Sequence, residues 1–90
     1  MKKKILEKLR NNIDKVDDQI FDLILKRLDY VEKIRNIKSE MNLPVYDKSR
    51  EQIIIERLTE KLITKINSEE IKKIIDPIIS ISKDLQRRKK

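Results

Sequence analysis

Residues 6–41 read LEKLRNNIDKVDDQIFDLILKRLDYVEKIRNIKSEM, and the spacing of the apolar members decides the fold. Leu6, Leu9, Ile13, Val16, Ile20 and Leu23, then Tyr30, Ile34, Ile37 and Met41, step by three and four. That interval brings side chains onto one helical face. Neither Pro nor Gly interrupts the run, so it predicts one helix over about 3–41. Pro44 closes it, because the residue before a proline avoids helical angles, and residues 42–46 form a loop.

Downstream, Asp47 has the chemistry of an N-cap, its carboxylate accepting from the first free amides of a helix. A second helix is expected over about 48–65, with Ile54, Leu58 and Leu62 on one face. Asn67 and Ser68 mark the next break, and Asn67 with Glu70 matches a capping box with Asn in the usual Ser/Thr place. The third helix then covers about 68–87, its face made by Ile71, Ile74, Ile75, Ile78 and Leu85. Pro77 falls inside it. Either it kinks a continuous helix, or Asp76 caps a new one with Pro77 at the first helical position; the kinked, continuous helix is the expectation. Arg87-Arg88-Lys89-Lys90 read as a frayed, solvated tail.

The fold class is therefore all-α, with one long and two shorter helices in a single domain over 1–90. Composition agrees: 43% of the residues are charged, 3% are aromatic and Gly is absent, which leaves little for sheets and their turns. The zero counts also restrict chemistry. Without Cys there is no disulfide, thiol nucleophile or thiolate metal site; without His the commonest general base and zinc ligand are missing. Without Gly there is no phosphate-cradling glycine loop. An enzyme built from this alphabet favours binding and electrostatic stabilisation over covalent catalysis. The net charge of +7 admits an anionic partner. Glu7, Lys8 and Arg10 interrupt any signal-peptide core after the N-terminal lysines, and no apolar run is long enough to span a bilayer, so a cytoplasmic protein is expected.

Size bears on assembly. A helix of about 39 residues is roughly 58 Å long. A compact domain of this length has a radius of gyration near about 12 Å, hence a diameter of roughly 30 Å. The apolar seam runs to both ends of the helix, so the part outside a globular monomer needs cover. A second copy of the chain is the simplest cover, and an intertwined homodimer is expected.

Polar residues at seam positions carry the functional signal. Arg27 lies four after Leu23; Lys38 lies seven after Val31; Ser82 lies four after Ile78; Gln86 lies seven after Ile79. One reading makes them register-setting polar groups of a coiled coil, with Ser82 bonded to a preceding carbonyl. The other makes them an anion-binding pocket, since two buried cations without partners cost several kcal/mol each. Periodicity alone leaves both open.

The residues Leu9-Arg10, Ile13-Asp14, Val16-Asp17, Leu23, Leu25, Arg27, Ile37-Lys38, Pro44-Val45, Asp47, Arg50-Glu51, Ser82 and Gln86 carry a resemblance over nearly the whole chain. In them the sequence resembles the all-helical chorismate mutases of the AroQ class. Three of the seven arginines fall on family positions, which weighs more than any Lys or Glu match in so charged a chain.

The resemblance implies conversion of chorismate to prephenate by a Claisen-type pericyclic rearrangement, a step of aromatic amino-acid biosynthesis that needs no nucleophile, metal or cofactor. It implies that Arg27 binds one substrate carboxylate through its planar fork. Arg10 reaches the neighbouring subunit's pocket and helps to hold the other. Lys38 and Gln86 donate to the ether oxygen as negative charge grows there. Glu51 accepts from the ring hydroxyl, helped by the backbone around Asp47; Arg50 and Ser82 complete the carboxylate side. The catalytic set is thus Lys38, Gln86 and Arg27, with Arg10, Asp47, Arg50, Glu51 and Ser82 binding substrate. Family members are often fused to other enzymes of the pathway, and this chain looks like a stand-alone mutase.

Plainer roles stand beside these. Asp47 is foremost a helix cap; Arg50 and Glu51 suit surface ion pairs worth under about 1 kcal/mol each. Arg10, one residue off the seam, reads as solvated without the resemblance and the dimer. Pro77, within two turns of Ser82 and Gln86, is a departure from the family's regular third helix. Three other functions remain to be tested: an isochorismate pyruvate-lyase-like relative, a coiled-coil adaptor, and a basic nucleic-acid or membrane-surface binder. Acids interleaved with the bases and scarce aromatics argue against a nucleic-acid partner, and no membrane partner is expected.

Overall fold

The computed structural model describes residues 1–88; Lys89 and Lys90, which the sequence reading assigns to the tail, lie outside the described residues. Three helices account for nearly all of these, α1 (Lys2–Glu40), α2 (Lys48–Leu62) and α3 (Ser68–Arg87), with no strand among the described residues. The all-α class and the three-helix order expected from periodicity are what is found. Two compact units divide the chain, Met1–Tyr30 and Val31–Lys90.

In Val31–Lys90 the core is an isoleucine cluster. Ile54 of α2 meets Ile71, Ile75 and Ile79 of α3, with Ile55, Leu58, Leu62 and Ile66 packed around them. Ile71 is completely buried. The buried positions of α3 (Ile71, Ile75, Ile79, Ser82 and Leu85) define its inner stripe. Ile74, expected on that face, is instead about half exposed at 52%. At 100° per residue it lies off the centre of that stripe, on the flank with Ile81.

The helix ends follow local chemistry. α1 finishes without glycine: Asn42 takes φ 56, a left-handed conformation that Asn tolerates better than most residues. Leu43 N–H donates to the Lys38 carbonyl at 2.8 Å and Asn42 N–H to Ser39 at 3.2 Å, the paired bonds of a Schellman stop. α2 ends at Leu62, three residues before the expected position 65. A turn closed by Ile66 N–H on the Leu62 carbonyl at 3.1 Å follows, and it returns Ile66 to the core.

Both predicted caps form. Asp47 accepts from Arg50 N–H at 2.9 Å. Asn67 accepts from Glu70 N–H at 2.9 Å while Glu70 accepts from Asn67 N–H at 3.0 Å, completing the capping box. α3 runs through Pro77 as one continuous helix, so Asp76 does not start a new one. Arg87 is its last residue, and Arg88 N–H donates to the carbonyls of Asp84 and Leu85, so these two arginines terminate a helix instead of fraying. No described helix is long and apolar enough to cross a membrane.

Candidate functional site

Lys38 is where the end of α1 becomes chemically useful. Its carbonyl is held by the Schellman turn, and the loop then carries Pro44 and Val45 back towards its side chain. The ammonium donates to the Val45 carbonyl at 3.0 Å and to Gln86 Oε1 at 3.2 Å. The loop and α3 thus fix a cation that would otherwise sample many rotamers. An ammonium has three protons, so one is left after these two bonds. Gln86, with its oxygen turned to Lys38, presents its NH2 group elsewhere. The pair is a double donor, half-buried and held from two sides.

The surroundings are cationic. An open cavity of about 400 Å³ is lined by Lys38, Gln86, Arg35, Arg87 and Arg88 together with neutral residues such as Asn36 and Ser39, and no carboxylate side chain is among the described residues that line it. A volume of this size suits a small organic ligand. Arg35 donates to the Leu85 carbonyl at 3.4 Å, which places a guanidinium against the C-terminal turn of α3 beside Gln86.

The acidic half of the expected site lies at the start of α2. Asp47 is solvent-exposed and its carboxyl is held below the usual range, first by the hydrogen bond from Arg50 N–H and then by the one from the Ser49 hydroxyl, 2.9 Å long. Glu51, one residue after Arg50, does not make a solvated surface pair. Its Oε1 meets Lys83 Nζ at 2.7 Å, with side-chain exposures of 19% and 24%. The same ammonium sits 4.2 Å from the centroid of the Tyr46 ring. Glu51, Ser80, Lys83 and Arg87 share a second open cavity of about 330 Å³ with Asp76 and Asp84.

Of the eight residues singled out from sequence, the structure brings Lys38 and Gln86 into direct contact and puts Asp47, Arg50, Glu51 and Ser82 in the same Val31–Lys90 unit. Ser82 is buried and donates its hydroxyl to the Ile78 carbonyl at 2.9 Å, the back-bond foreseen as its plainer role. Arg50 is exposed, and its backbone serves the Asp47 cap. Arg10, exposed, and Arg27, half-buried, belong to Met1–Tyr30.

Sequence reasoning passed over Arg35 and Lys83. A signal existed for both: Arg35 lies four after the buried Val31 and Lys83 four after the buried Ile79, the same step that picked out Arg27. The Val45 carbonyl, a backbone group, has no signal in side-chain pattern.

Known proteins resemble this chain in sequence and in fold. The chain is 32% identical over 85 residues to a chorismate mutase of Methanocaldococcus jannaschii, covering 92% of this chain and 85% of that one. It is 38% identical over 53 residues to a bifunctional chorismate mutase/prephenate dehydratase of Aquifex aeolicus, a match that covers 59% of this chain and spans only 15% of that relative. Among solved structures it superposes with TM-score 0.83 on a Helicobacter pylori chorismate mutase in complex with prephenate, at 36% identity over 91% of this chain and 89% of the other. The family model "Chorismate mutase type II" matches residues 9–87, and the chain belongs to that family.

Proposed function

We propose that this chain is a chorismate mutase, isomerising chorismate to prephenate in aromatic amino-acid biosynthesis in the cytoplasm. The observation that carries the reading is the Lys38–Gln86 pair, 3.2 Å apart, opening on a cavity that Arg35, Arg87 and Arg88 also line. The rearrangement breaks a C–O bond as a C–C bond forms, within one molecule, and its transition state builds negative charge on the departing ether oxygen. The remaining Lys38 proton and the Gln86 amide are donors for that oxygen, and their bonds strengthen as the charge grows. Donors already held by Val45 and by each other need little reorganisation in the transition state.

Chorismate carries two carboxylates, which suits an anion-accepting wall. In the proposed site Arg27 takes one of them and Arg10 of the partner subunit helps with the other. Arg50 and Ser82 support that side, and Glu51 accepts from the ring hydroxyl beside Asp47. Clamping both ends folds the enolpyruvyl arm over the ring, which lowers the entropic part of the barrier.

This requires an intertwined homodimer with shared sites. What supports it is the exposure of the α1 seam in the single chain: Ile13 is 58% exposed and Leu9 54%. An apolar stripe of that length calls for a partner surface.

The test is the loss of chorismate absorbance on adding purified protein, where no acceleration over buffer overturns the proposal. Lys38→Ala is expected to lower kcat by about 10²–10³-fold with a smaller change in KM, as for removal of a donor to a developing oxyanion. A change confined to KM would remove Lys38 from the transition-state role.

A further inference from the structure

We infer that Lys83 is a positioning residue that holds the Glu51 carboxylate in place for the substrate's ring hydroxyl, with Tyr46 steadying the ammonium; this rests on the mutase reading above. Three elements converge to build the arrangement. Glu51 stands in the first turn of α2, Lys83 in the last two turns of α3, and Tyr46 in the loop between α1 and α2. The ion pair is 2.7 Å long, and neither side chain is more than a quarter exposed. The ring centroid lies 4.2 Å from the same nitrogen, within the range of a cation–π contact.

Two physical needs are met together. A glutamate has several rotatable bonds, and fixing it at the moment of binding costs conformational entropy. Lys83, bonded to Oε1, fixes it beforehand and leaves Oε2 as the acceptor. The second need is electrostatic. A doubly negative substrate is repelled by an uncompensated carboxylate in its pocket, and Lys83 neutralises Glu51 locally while leaving it able to accept a hydrogen bond. A lysine with a single partner is itself mobile; the Tyr46 ring gives it a second.

A hydroxyl contact is present in ground and transition states alike, so its loss appears in KM. The experiment compares chorismate turnover by the full chain as wild type, Lys83→Met, Lys83→Arg, Tyr46→Leu and Glu51→Gln, and by Glu51→Gln combined with Lys83→Met. Lys83→Met is expected to raise KM about three- to tenfold with kcat within about twofold. Lys83→Arg restores most of it, and Tyr46→Leu gives a smaller rise. In the Glu51→Gln background Lys83→Met changes KM by less than about twofold, because the carboxylate it positions is gone.

An unchanged KM in Lys83→Met overturns the inference. So does an equal effect in both backgrounds, which would make Lys83 only a clamp between α2 and α3. Should Lys83→Met fail to fold, Tyr46→Leu with and without Glu51→Gln decides by the same criterion. A wild-type protein that does not turn over chorismate sinks the mutase reading itself, a result distinct from any of these.

Discussion

α1 and α3 advertise the same thing in sequence, an apolar stripe at helical spacing, and meet opposite fates in the folded chain. On α3 the stripe disappears under α2: Ile71 is fully buried and Ile75 and Ile79 are 8% exposed. On α1 the stripe from Leu6 to Leu23 stays about half exposed throughout. Periodicity states that a face needs cover and is silent about who supplies it. α3 finds its cover in α2, the fifteen-residue helix that precedes it in its own chain, across a short turn. α1 has no such return in Met1–Tyr30, and the proposed dimer supplies it.

The largest expected effect comes from turning that comparison around. In a single chain Ile13 is a surface residue, and Ile13→Asp should be harmless. If a second copy covers the seam, the substitution buries an unpaired carboxylate at a cost of several kcal/mol. Sedimentation is then expected to show association weakened by more than about a hundredfold, and turnover lost with it, since the proposed sites are shared. A variant that stays dimeric and active breaks the comparison at its root.

Next in size is the buried counterpart. Ile71→Ala empties a site with no exposure at all, and a loss of about 2–5 kcal/mol in urea unfolding is expected. The contrast sharpens if the loss does not depend on protein concentration for a step involving α2 and α3, while that of Ile13→Asp does. A loss below about 1 kcal/mol would mean that the isoleucine cluster around Ile71 readily collapses into the space.

These two regions also mark what the chain could tell in advance. The helices, both caps and the stop before Pro44 were legible because each depends on neighbours within four residues: Asp47 with Arg50, Asn67 with Glu70. The misjudged details depend on tertiary direction. Ile74 fits the spacing of a core residue, yet the centre of the inner stripe is set by where α2 lies. α2 stops at Leu62 because Ile66 must turn back into the core, which no local count reveals. In the site, Lys38 and Gln86 stood out as polar residues on apolar faces. Lys83 carries the same signal, four after Ile79, but its partners Glu51 and Tyr46 come from distant parts of the sequence and look like surface residues there, so its role is not legible.

The smallest effect separates the two helix caps, one charged and one neutral. Asp47 and Asn67 do the same job at the starts of α2 and α3, each accepting from the N–H three residues on. Only the Asp47 carboxylate titrates, and its pKa in the folded chain is lowered from 3.8, chiefly by the bond from Arg50 N–H. With the folded value below the unfolded one, the unfolded chain binds more protons between them, so stability rises with pH in that window. The contribution is complete above the unfolded value and is lost as pH falls through the folded one. Asp47→Asn keeps an oxygen for the amide but removes the charge at the helix N-terminus. Its deficit in urea midpoint relative to wild type is expected to be small at about pH 7 and to vanish at a pH below the lowered folded value. Asn67→Asp should behave in reverse, adding a pH-dependent gain to α3 over the same range. If the Asp47→Asn deficit is the same at both pH values, the cap works through its hydrogen bond alone, and its charge adds nothing.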